Sequence, residues 1–376
     1  MGGALRIQPV AGTGDVEAFI RFPFRLYGDY PHWVPPLLLE RREFLDPAKN
    51  PVFEYAQIQL FLAFRGSEVV GTIAAICNNR YGEFHTDDQH VGFFGLFECL
   101  QDQEAAEALL SAAAGWLGSK GKTALRGPVN FTTNDIVGLL VDGFDDDPAI
   151  LMPYNPPYYD GLMESAGFTK TKDLFAFTLA EKDYRGQLDS VAAKLAQRGH
   201  VRIRPVDLKR WPEELAFVRS CYNIAWAKNW GFVPWTDREL AFIAKELKPL
   251  IDPRLAFVAE VDGKSAGFCI SVPDANQAIK LAKGRLLPFG LLKILWKLKV
   301  SKVTRLRTIA MGVLPEHRRR GIDAILVHHL VHQSVAYGCP VSEMGWILED
   351  NQPMLSALRQ IGAQKTKTYR VYDRAI

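Results

Sequence analysis

The second half of the chain contains the sequence TIAMGVLPEHRRRGIDAILVHHL, residues 308–330, which decides our prediction of the fold. Residues 308–313 form an apolar run typical of a buried strand, and a helix is predicted over 321–337. Between them lies a turn in which three arginines precede Gly321. A helix N-terminus presents unpaired backbone N–H groups and a partial positive charge. The turn is therefore predicted to hold a phosphate group.

The order of elements around this stretch occurs twice in the chain. Hairpins are predicted at Gly66-Ser67 and at Asp262-Gly263, and a long helix followed by a strand comes after each of them. Gly71 and Gly267 are 196 positions apart, and Gly167 and Gly362 are 195 apart. Gly121 and Gly338, which each end a long helix, are 217 apart, so an insertion in the second half is expected between 274 and 302 and one in the first half over 130–153. Two copies of one unit, each with its own insertion, explain these offsets. We therefore predict an α/β fold of two tandem domains with mixed sheets, residues 1–180 and 200–376, joined by a helical connector over 181–199.

Composition excludes several classes of protein. The chain has 376 residues, 48% of them hydrophobic and 23% charged, which suits two ordinary globular domains. Its net charge of +3 argues against a nucleic-acid partner. The N-terminus lacks a secretory apolar core, and no run approaches the roughly 18 apolar residues needed to span a membrane. The five cysteines are scattered and odd in number, so we expect buried free thiols in a soluble, cytoplasmic protein.

The arrangement strand, Pro-x-x-Arg-x-x-Gly, helix, strand, Asn351 and short helix resembles the GCN5-related N-acetyltransferase (GNAT) superfamily. The loop of that family reads Arg/Gln-x-x-Gly-x-Gly/Ala. Arg318 and Gly321 match it, whereas Asp323 stands at the second glycine position. The tyrosine expected on the short helix falls at Leu358. Either Asp323 points away from the loop and the arginines compensate for its charge, or the loop no longer binds coenzyme A.

The resemblance implies a tandem GNAT protein that binds acetyl-CoA or another acyl-CoA in its second half and needs no metal. The pyrophosphate is expected on the arginine loop, and the thioester carbonyl is expected at the end of the preceding strand. A carboxylate then takes the proton of the acceptor amine, which attacks the thioester directly. The implied cofactor-binding residues are Met311, Gly312, Val313, Arg318, Arg319, Arg320, Gly321, Ala324 and Asn351.

Glu343 and Tyr369 are the candidates for proton transfer. Glu343 lies within an apolar strand that should line the acyl-CoA gap, so it is a candidate general base; a structural ion pair with a nearby arginine is the alternative. Tyr369 could replace the tyrosine missing at Leu358, or it could pack in the core. The aromatic run 226–235 is expected to border the acceptor, with substrate-binding candidates Trp226, Asn229 and Trp230.

The first half has no counterpart of the arginine loop. Its equivalent residues, Phe97–Asp102, contain two acids and neither arginine nor glycine, so this half is expected to be structural or to bind the acceptor. His328 and His332 have metal-ligand spacing on a helix, but no neighbouring carboxylate or cysteine completes a site, and no metal is predicted. Residues 291–302 combine large apolar side chains with four lysines. They could pack against the domain, cover a long acyl chain, or make a transient membrane contact.

Three functions remain open from the sequence. The first is N-acylation of a small-molecule or peptide amine from an acyl-CoA. The second is ligand binding by a non-catalytic relative of such enzymes, and the third is acyl transfer from a longer or non-CoA donor. No charge pattern identifies the acceptor.

Overall fold

The computed structural model describes residues 3–186, 188–197 and 200–376. The helices and strands up to residue 180 are β1 (Leu5–Pro9), α1 (Thr13–Leu26), α2 (Leu38–Phe44), β2 (Ala56–Arg65), β3 (Glu68–Asn78), α3 (Asn79–Phe84), β4 (Val91–Cys99), α4 (Gln103–Gly118), β5 (Ala124–Gly127), β6 (Leu139–Asp142), α5 (Tyr159–Ser165) and β7 (Thr169–Ala180). Those that follow are α6 (Asp189–Gln197), β8 (Val201–Pro205), α7 (Trp211–Ala225), α8 (Asp237–Leu247), β9 (Ala256–Val261), β10 (Lys264–Pro273), α9 (Asn276–Ile279), α10 (Gly290–Trp296), β11 (Arg305–Val313), α11 (Ile322–Tyr337), β12 (Val341–Leu348), α12 (Gln352–Gln360) and β13 (Gln364–Ala375).

The chain forms two compact units, and neither is one continuous segment. The first unit contains residues up to 174 together with 282–290 and 367–376, and the second contains 175–281 and 291–366. The backbone N–H of Leu38 donates to the carbonyl of Gly284 over 2.9 Å, which ties residues 282–290 into the first unit. The domain boundaries predicted at residues 180 and 200 follow the sequence repeat rather than these units, and they stay predictions.

In the first unit the strand order is β1-β2-β3-β4-β5-β13, and β6 also pairs with β13. β4 and β5 are parallel, whereas the other neighbours are antiparallel. α4 packs on this sheet through fully buried alanines such as Ala105 and Ala113, whose small side chains allow a close approach. Asp102 caps that helix by accepting a hydrogen bond of 3.1 Å from the N–H of Ala105.

In the second unit the strand order is β12-β11-β10-β9-β8, again with one parallel pair, β11 and β12. Side chains alternate between the faces of this sheet. Phe257 and Ala259 join the apolar cluster that contains residues of α11, and Ala256 and Val258 join the cluster that contains residues of α7. Each face of the second sheet is therefore covered by a helix.

The two units confirm the predicted α/β class with mixed sheets and the predicted repeat. β1 to β5 with α4 have the same order and directions as β8 to β12 with α11. Both predicted hairpins form, β2 with β3 and β9 with β10. All five cysteines are buried free thiols, as predicted. Among the described residues, no helix combines the length and the apolar character that a membrane crossing requires.

Candidate functional site

The candidate site of the second unit begins where β11 and β12 stop pairing. Their recorded parallel pairs run from Arg305 with Val341 to Thr308 with Met344. β11 continues to Val313 against β10, and β12 continues to Leu348. Met311, Gly312 and Val313 therefore lie on the stretch of β11 beyond the last recorded pair with β12. Backbone N–H groups at such a divergence can bind a carbonyl oxygen.

The arginine loop follows directly, and its three arginines occupy different environments. Arg318 donates from Nε to the Val313 carbonyl over 3.2 Å and from Nη2 to the Ala225 carbonyl over 2.8 Å. It thereby joins the end of β11 to the end of α7. Arg319 and Arg320 are exposed, and Arg319 has a left-handed backbone with φ of 59°. Arg318 thus shapes the loop, whereas the other two arginines are accessible to an anion.

Gly321 is the N-cap of α11 and has φ of 77°, which favours glycine. A Cβ at this position would lie 2.8 Å from Leu195 Cδ1 and 3.5 Å from Val191 Cγ1. Both contacts come from α6, so the helix within the predicted connector packs beside the start of α11. The sequence does not indicate this contact, because α6 and the loop are far apart in the chain.

Asp323 and Ala324 lie in the first turn of α11. Asp323 is exposed, and Ala324 is half-buried. A carboxylate here interacts favourably with the helix N-terminus and competes electrostatically with a phosphate at the same end.

Glu343 lies within a buried ion network rather than in the divergent part of the strands. It pairs in register with Arg307, and its Oε2 lies 3.7 Å from Arg305 Nη1. Arg305 Nη2 also lies 2.8 Å from Asp274 Oδ2, and both carboxylates are fully buried. This is the ion-paired arrangement that the sequence left open as the alternative to a general base.

Three positions that follow the arginine loop in sequence, Asn351, Leu358 and Tyr369, have structural roles. Tyr369 is fully buried on β13, in register with Leu140, and belongs to the first unit. Asn351 caps α12, because its Oδ1 accepts a hydrogen bond of 3.3 Å from the N–H of Met354. Leu358, at the position of the family tyrosine, is buried in an apolar cluster of the second unit.

The aromatic run after α7 does reach β11. Trp226 donates from Nε1 to the Met311 carbonyl over 3.4 Å, and its ring centroid lies 4.4 Å from that of Tyr222. Asn229 and Trp230 follow in the same connection and are half-buried. The structure therefore brings Trp226 next to the predicted carbonyl-binding segment.

His328 and His332 share a carboxylate that the sequence analysis did not anticipate. Asp189 Oδ1, at the start of α6, lies 3.3 Å from His328 Nε2 and 3.7 Å from His332 Nε2. Burial and the neighbouring His332 lower the pKa of His328 below its usual 6.5. These histidine–carboxylate contacts link α6 to α11.

Glu98 is a further chemically unusual residue, which the sequence analysis noted only as an acid in the first-half loop. Burial raises its pKa from 4.5 to about 7. Its Oε2 accepts hydrogen bonds of 2.7 Å from the hydroxyl groups of Tyr27 and Tyr159. Burial also raises the pKa values of both tyrosines, so they remain donors. The only sequence signal is an acid within an otherwise apolar strand.

Comparison with known proteins gives consistent results for the second unit and for the whole chain. Residues 218–363 match the family model described as "Acetyltransferase (GNAT) family". The chain is 37% identical to a protein named "Bacterial ceramide synthase" from Caulobacter vibrioides, over 99% of this chain and 98% of that protein. It is also 37% identical to "Protein YghO" of Escherichia coli, over 98% and 95% of the two chains.

Solved structures with similar folds include a tandem GNAT protein from the clavulanic acid biosynthesis pathway. That structure has a TM-score of 0.57 and 12% sequence identity, and the similarity covers 99% of this chain and 98% of that one. A GCN5-related N-acetyltransferase from Sphaerobacter thermophilus has a TM-score of 0.55 and 12% identity, over 99% and 95%. At these identities the similarity supports the fold.

Proposed function

Because the chain belongs to the acetyltransferase (GNAT) family, we propose that this N-acyltransferase moves a long-chain acyl group from coenzyme A to a long-chain amino alcohol. Ceramide, the product in the Caulobacter relative's name, is an amide of a fatty acid and such an amine. Membership of an acyltransferase family sets aside the non-catalytic alternative. The resemblance implies acetyl-CoA or another acyl-CoA as the donor, whereas the exposed apolar side chains of residues 281–300 support our assignment of lipid substrates.

This segment concentrates the exposed apolar side chains of the molecule. Within the described residues, 16 large apolar side chains are exposed, and eight of them fall in these 20 positions. Their exposures range from 38% to 78%: Leu281, Leu287, Phe289, Leu291, Leu292, Leu295, Trp296 and Val300. A concentration of exposed apolar side chains in one stretch of the chain is typical of an interaction site.

The charge of the segment favours an anionic lipid surface. Residues 275–304 contain seven lysines and arginines and no acid. On α10 only Ile294 is buried among the large apolar residues, and Leu298 in the following turn packs against the core of the second unit. Ile294 and Leu298 thus anchor the segment, and its remaining apolar side chains are exposed beside basic ones. This arrangement is typical of helices lying in a membrane interface.

The second unit supplies the groups needed for an acyl-CoA. The exposed Arg319 and Arg320 and the first turn of α11 suit the pyrophosphate, and Gly321 and Ala324 keep the side chains at the start of this helix small. The divergent end of β11, Met311–Val313, suits the thioester carbonyl. Arg318 and Asn351 contribute by shaping the loop and by capping α12.

The reaction requires no covalent enzyme intermediate. The neutral amine attacks the thioester carbonyl, a C–N bond forms, and the C–S bond breaks. The amine gives up one proton, and the departing coenzyme A thiolate takes one up. Backbone N–H groups of β11 would stabilise the oxyanion of the tetrahedral intermediate. Glu343 of the second unit stays a candidate for these proton transfers, and we propose none for Tyr369, because it is buried in the first unit.

Vesicle binding tests the lipid assignment. Leu292→Glu with Trp296→Glu should lower partitioning onto phosphatidylglycerol-containing vesicles more than tenfold, because each apolar side chain contributes about 1.5–3 kcal/mol when fully buried. Leu39→Glu with Phe84→Glu is the matched control, since these side chains are 53% and 50% exposed elsewhere. Equal binding by both double variants, or no binding by the unmodified protein, contradicts the assignment. Concentration-dependent dimers abolished by the first variant would instead make the segment a self-interface.

Donor length provides the enzymatic test. With sphinganine as the acceptor, palmitoyl-CoA should give a kcat/KM at least tenfold above that of acetyl-CoA, measured by release of coenzyme A thiol. Arg319→Ala with Arg320→Ala should raise the KM for both donors by more than tenfold, since charge-assisted phosphate contacts contribute about 1.5–3 kcal/mol each. Equal use of the two donors would contradict the long-chain assignment and leave acetyl transfer.

A further inference from the structure

Among the described residues, the half-buried Glu98 has two hydroxyl donors and no recorded cationic partner. Three fully or largely buried acids face a guanidinium group instead: Asp173 with Arg370, Glu214 with Arg204, Asp274 with Arg305. Burial raises the pKa of Glu98, and the hydrogen bonds from the Tyr27 and Tyr159 hydroxyl groups oppose this rise; no cation contributes. An ionised carboxylate in such surroundings costs free energy unless a positive charge reaches it.

The hydrogen bonds around Glu98 orient its carboxylate and leave one oxygen available. Tyr27 and Tyr159 both donate to Oε2 over 2.7 Å, and the Cys99 N–H in turn donates to the Tyr159 hydroxyl over 2.7 Å. In the part of the chain that the structure describes, no donor is recorded for Oε1. Glu98 itself is partly exposed. The carboxylate is therefore held in one orientation, with an accessible acceptor.

Tyr27, one of the two tyrosines on this carboxylate, belongs to an aromatic cluster. The Tyr27 ring stacks on Trp33 with centroids 4.7 Å apart and meets Tyr30 at 5.7 Å. Tyr154 and Tyr158 also join the aromatic cluster as half-buried residues. Aromatic faces next to a carboxylate attract organic cations, because the ring quadrupole and the charge act together. They also suit the apolar chain of a lipid amine.

The position of Glu98 in the fold reinforces this assignment. It lies on β4, the counterpart of β11, beyond the last recorded pair of β4 with β5 at Phe93 and Arg126. The second unit places arginines after the corresponding strand, whereas the first unit has the acids Glu98 and Asp102. Asp102 forms a salt bridge with Arg65. Glu98 thus occupies in the first unit the strand position that Gly312 has in the second.

We propose that Glu98, with Tyr27 and Tyr159, binds the ammonium group of an organic amine in the first unit. The hydrogen bonds of Glu98 and the aromatic rings next to it carry this assignment. The ammonium group donates to Oε1 and supplies the missing positive charge. Tyr27 and Tyr159 keep Oε2 occupied, so that one oxygen is left for the ligand.

Calorimetric titration of the full-length protein with octylamine and octanol tests the site. Near pH 8 the unmodified protein should bind octylamine more than tenfold more tightly than octanol. Glu98→Gln, which keeps the shape and removes the charge, should abolish that preference. Glu104→Gln is the control, since Glu104 is an exposed acid paired with Arg65. An equal affinity of the unmodified protein for the two ligands, or a preference that survives Glu98→Gln, overturns the proposal.

Two further measurements separate the possible failures. The octylamine affinity of the unmodified protein should rise between pH 6 and pH 8 as Glu98 ionises, while Tyr27, Tyr158, Tyr159 and Cys99 stay protonated. A flat profile overturns the site even if Glu98→Gln fails to fold. Palmitoyl-CoA titrated into the same samples tests the donor site separately. If it fails to bind while octylamine binds through Glu98, the proposed function is wrong and the amine site stands.

Discussion

Replacing Glu98 by glutamine should stabilise the protein in a pH-dependent way. The pKa of Glu98 is about 7 in the folded protein against 4.5 for an ordinary glutamate. Between these values the folded state holds a proton that the unfolded chain has released, so stability falls as the pH rises through this window. Each pKa unit corresponds to about 1.4 kcal/mol. The ionised carboxylate therefore costs about 2–3 kcal/mol above pH 7, the lower figure allowing for solvent screening at a partly exposed group.

Urea unfolding of both proteins at half-unit steps from about pH 4.5 to about pH 8 measures this cost. The stability of the glutamine variant relative to the unmodified protein should increase by about 2–3 kcal/mol across the window and be constant outside it. A constant offset from the substitution itself cancels in this comparison. The first unfolding transition should be followed, because two units need not unfold together. A relative stability that is flat across the window would refute the reasoning and assign Glu98 an ordinary pKa.

Three further predictions concern the second unit. Gly321→Ala should lower thermal stability and acyl-CoA affinity more than Gly338→Ala. Both substitutions add left-handed backbone strain of about 1–2 kcal/mol, but only the new Cβ at position 321 would clash with Leu195. Equal effects of the two substitutions would contradict this. Asp323→Asn should tighten acyl-CoA binding, measured by titration, about two- to fivefold, since a charge at a helix N-terminus contributes about 0.3–1 kcal/mol. Weaker binding would count against competition between the Asp323 carboxylate and the phosphate. Arg305→Met should lower the free energy of unfolding in urea by about 3–5 kcal/mol, and Glu343→Gln added to it should restore part of that loss. A Glu343→Gln enzyme that is inactive but of unchanged stability would instead favour Glu343 as the general base.

The local part of the fold could be predicted from sequence. Local sequence patterns predict β11, the following turn, α11 and β12. These patterns are apolar runs, a Pro-Arg-Gly turn and helix periodicity, and each extends over a short stretch of sequence. The same holds for the two hairpins, whose Gly66 and Gly263 have positive φ. The repeat allowed these local predictions to be checked against each other.

The site depended on contacts between residues that are distant in sequence. Arg318 reaches the Ala225 carbonyl across 93 positions, so a residue chosen as a phosphate ligand also holds two elements together. Glu98 and Tyr27 are 71 positions apart, and Glu98 and Tyr159 are 61 apart. Neither spacing belongs to a motif. The environment that raises the pKa of Glu98 is created by packing, and packing is what a single sequence shows least.

The assignment of residues 367–376 to the first unit has a consequence for how the chain is made. These residues pair with β5 and β6, so the sheet of the first unit lacks β13 until residues 367–376 have been synthesised. Until then the outer edge of β5 has no β13 to pair with, and an unpaired edge attracts other chains. Removal of residues 367–376 should therefore destabilise the first unit and favour its aggregation.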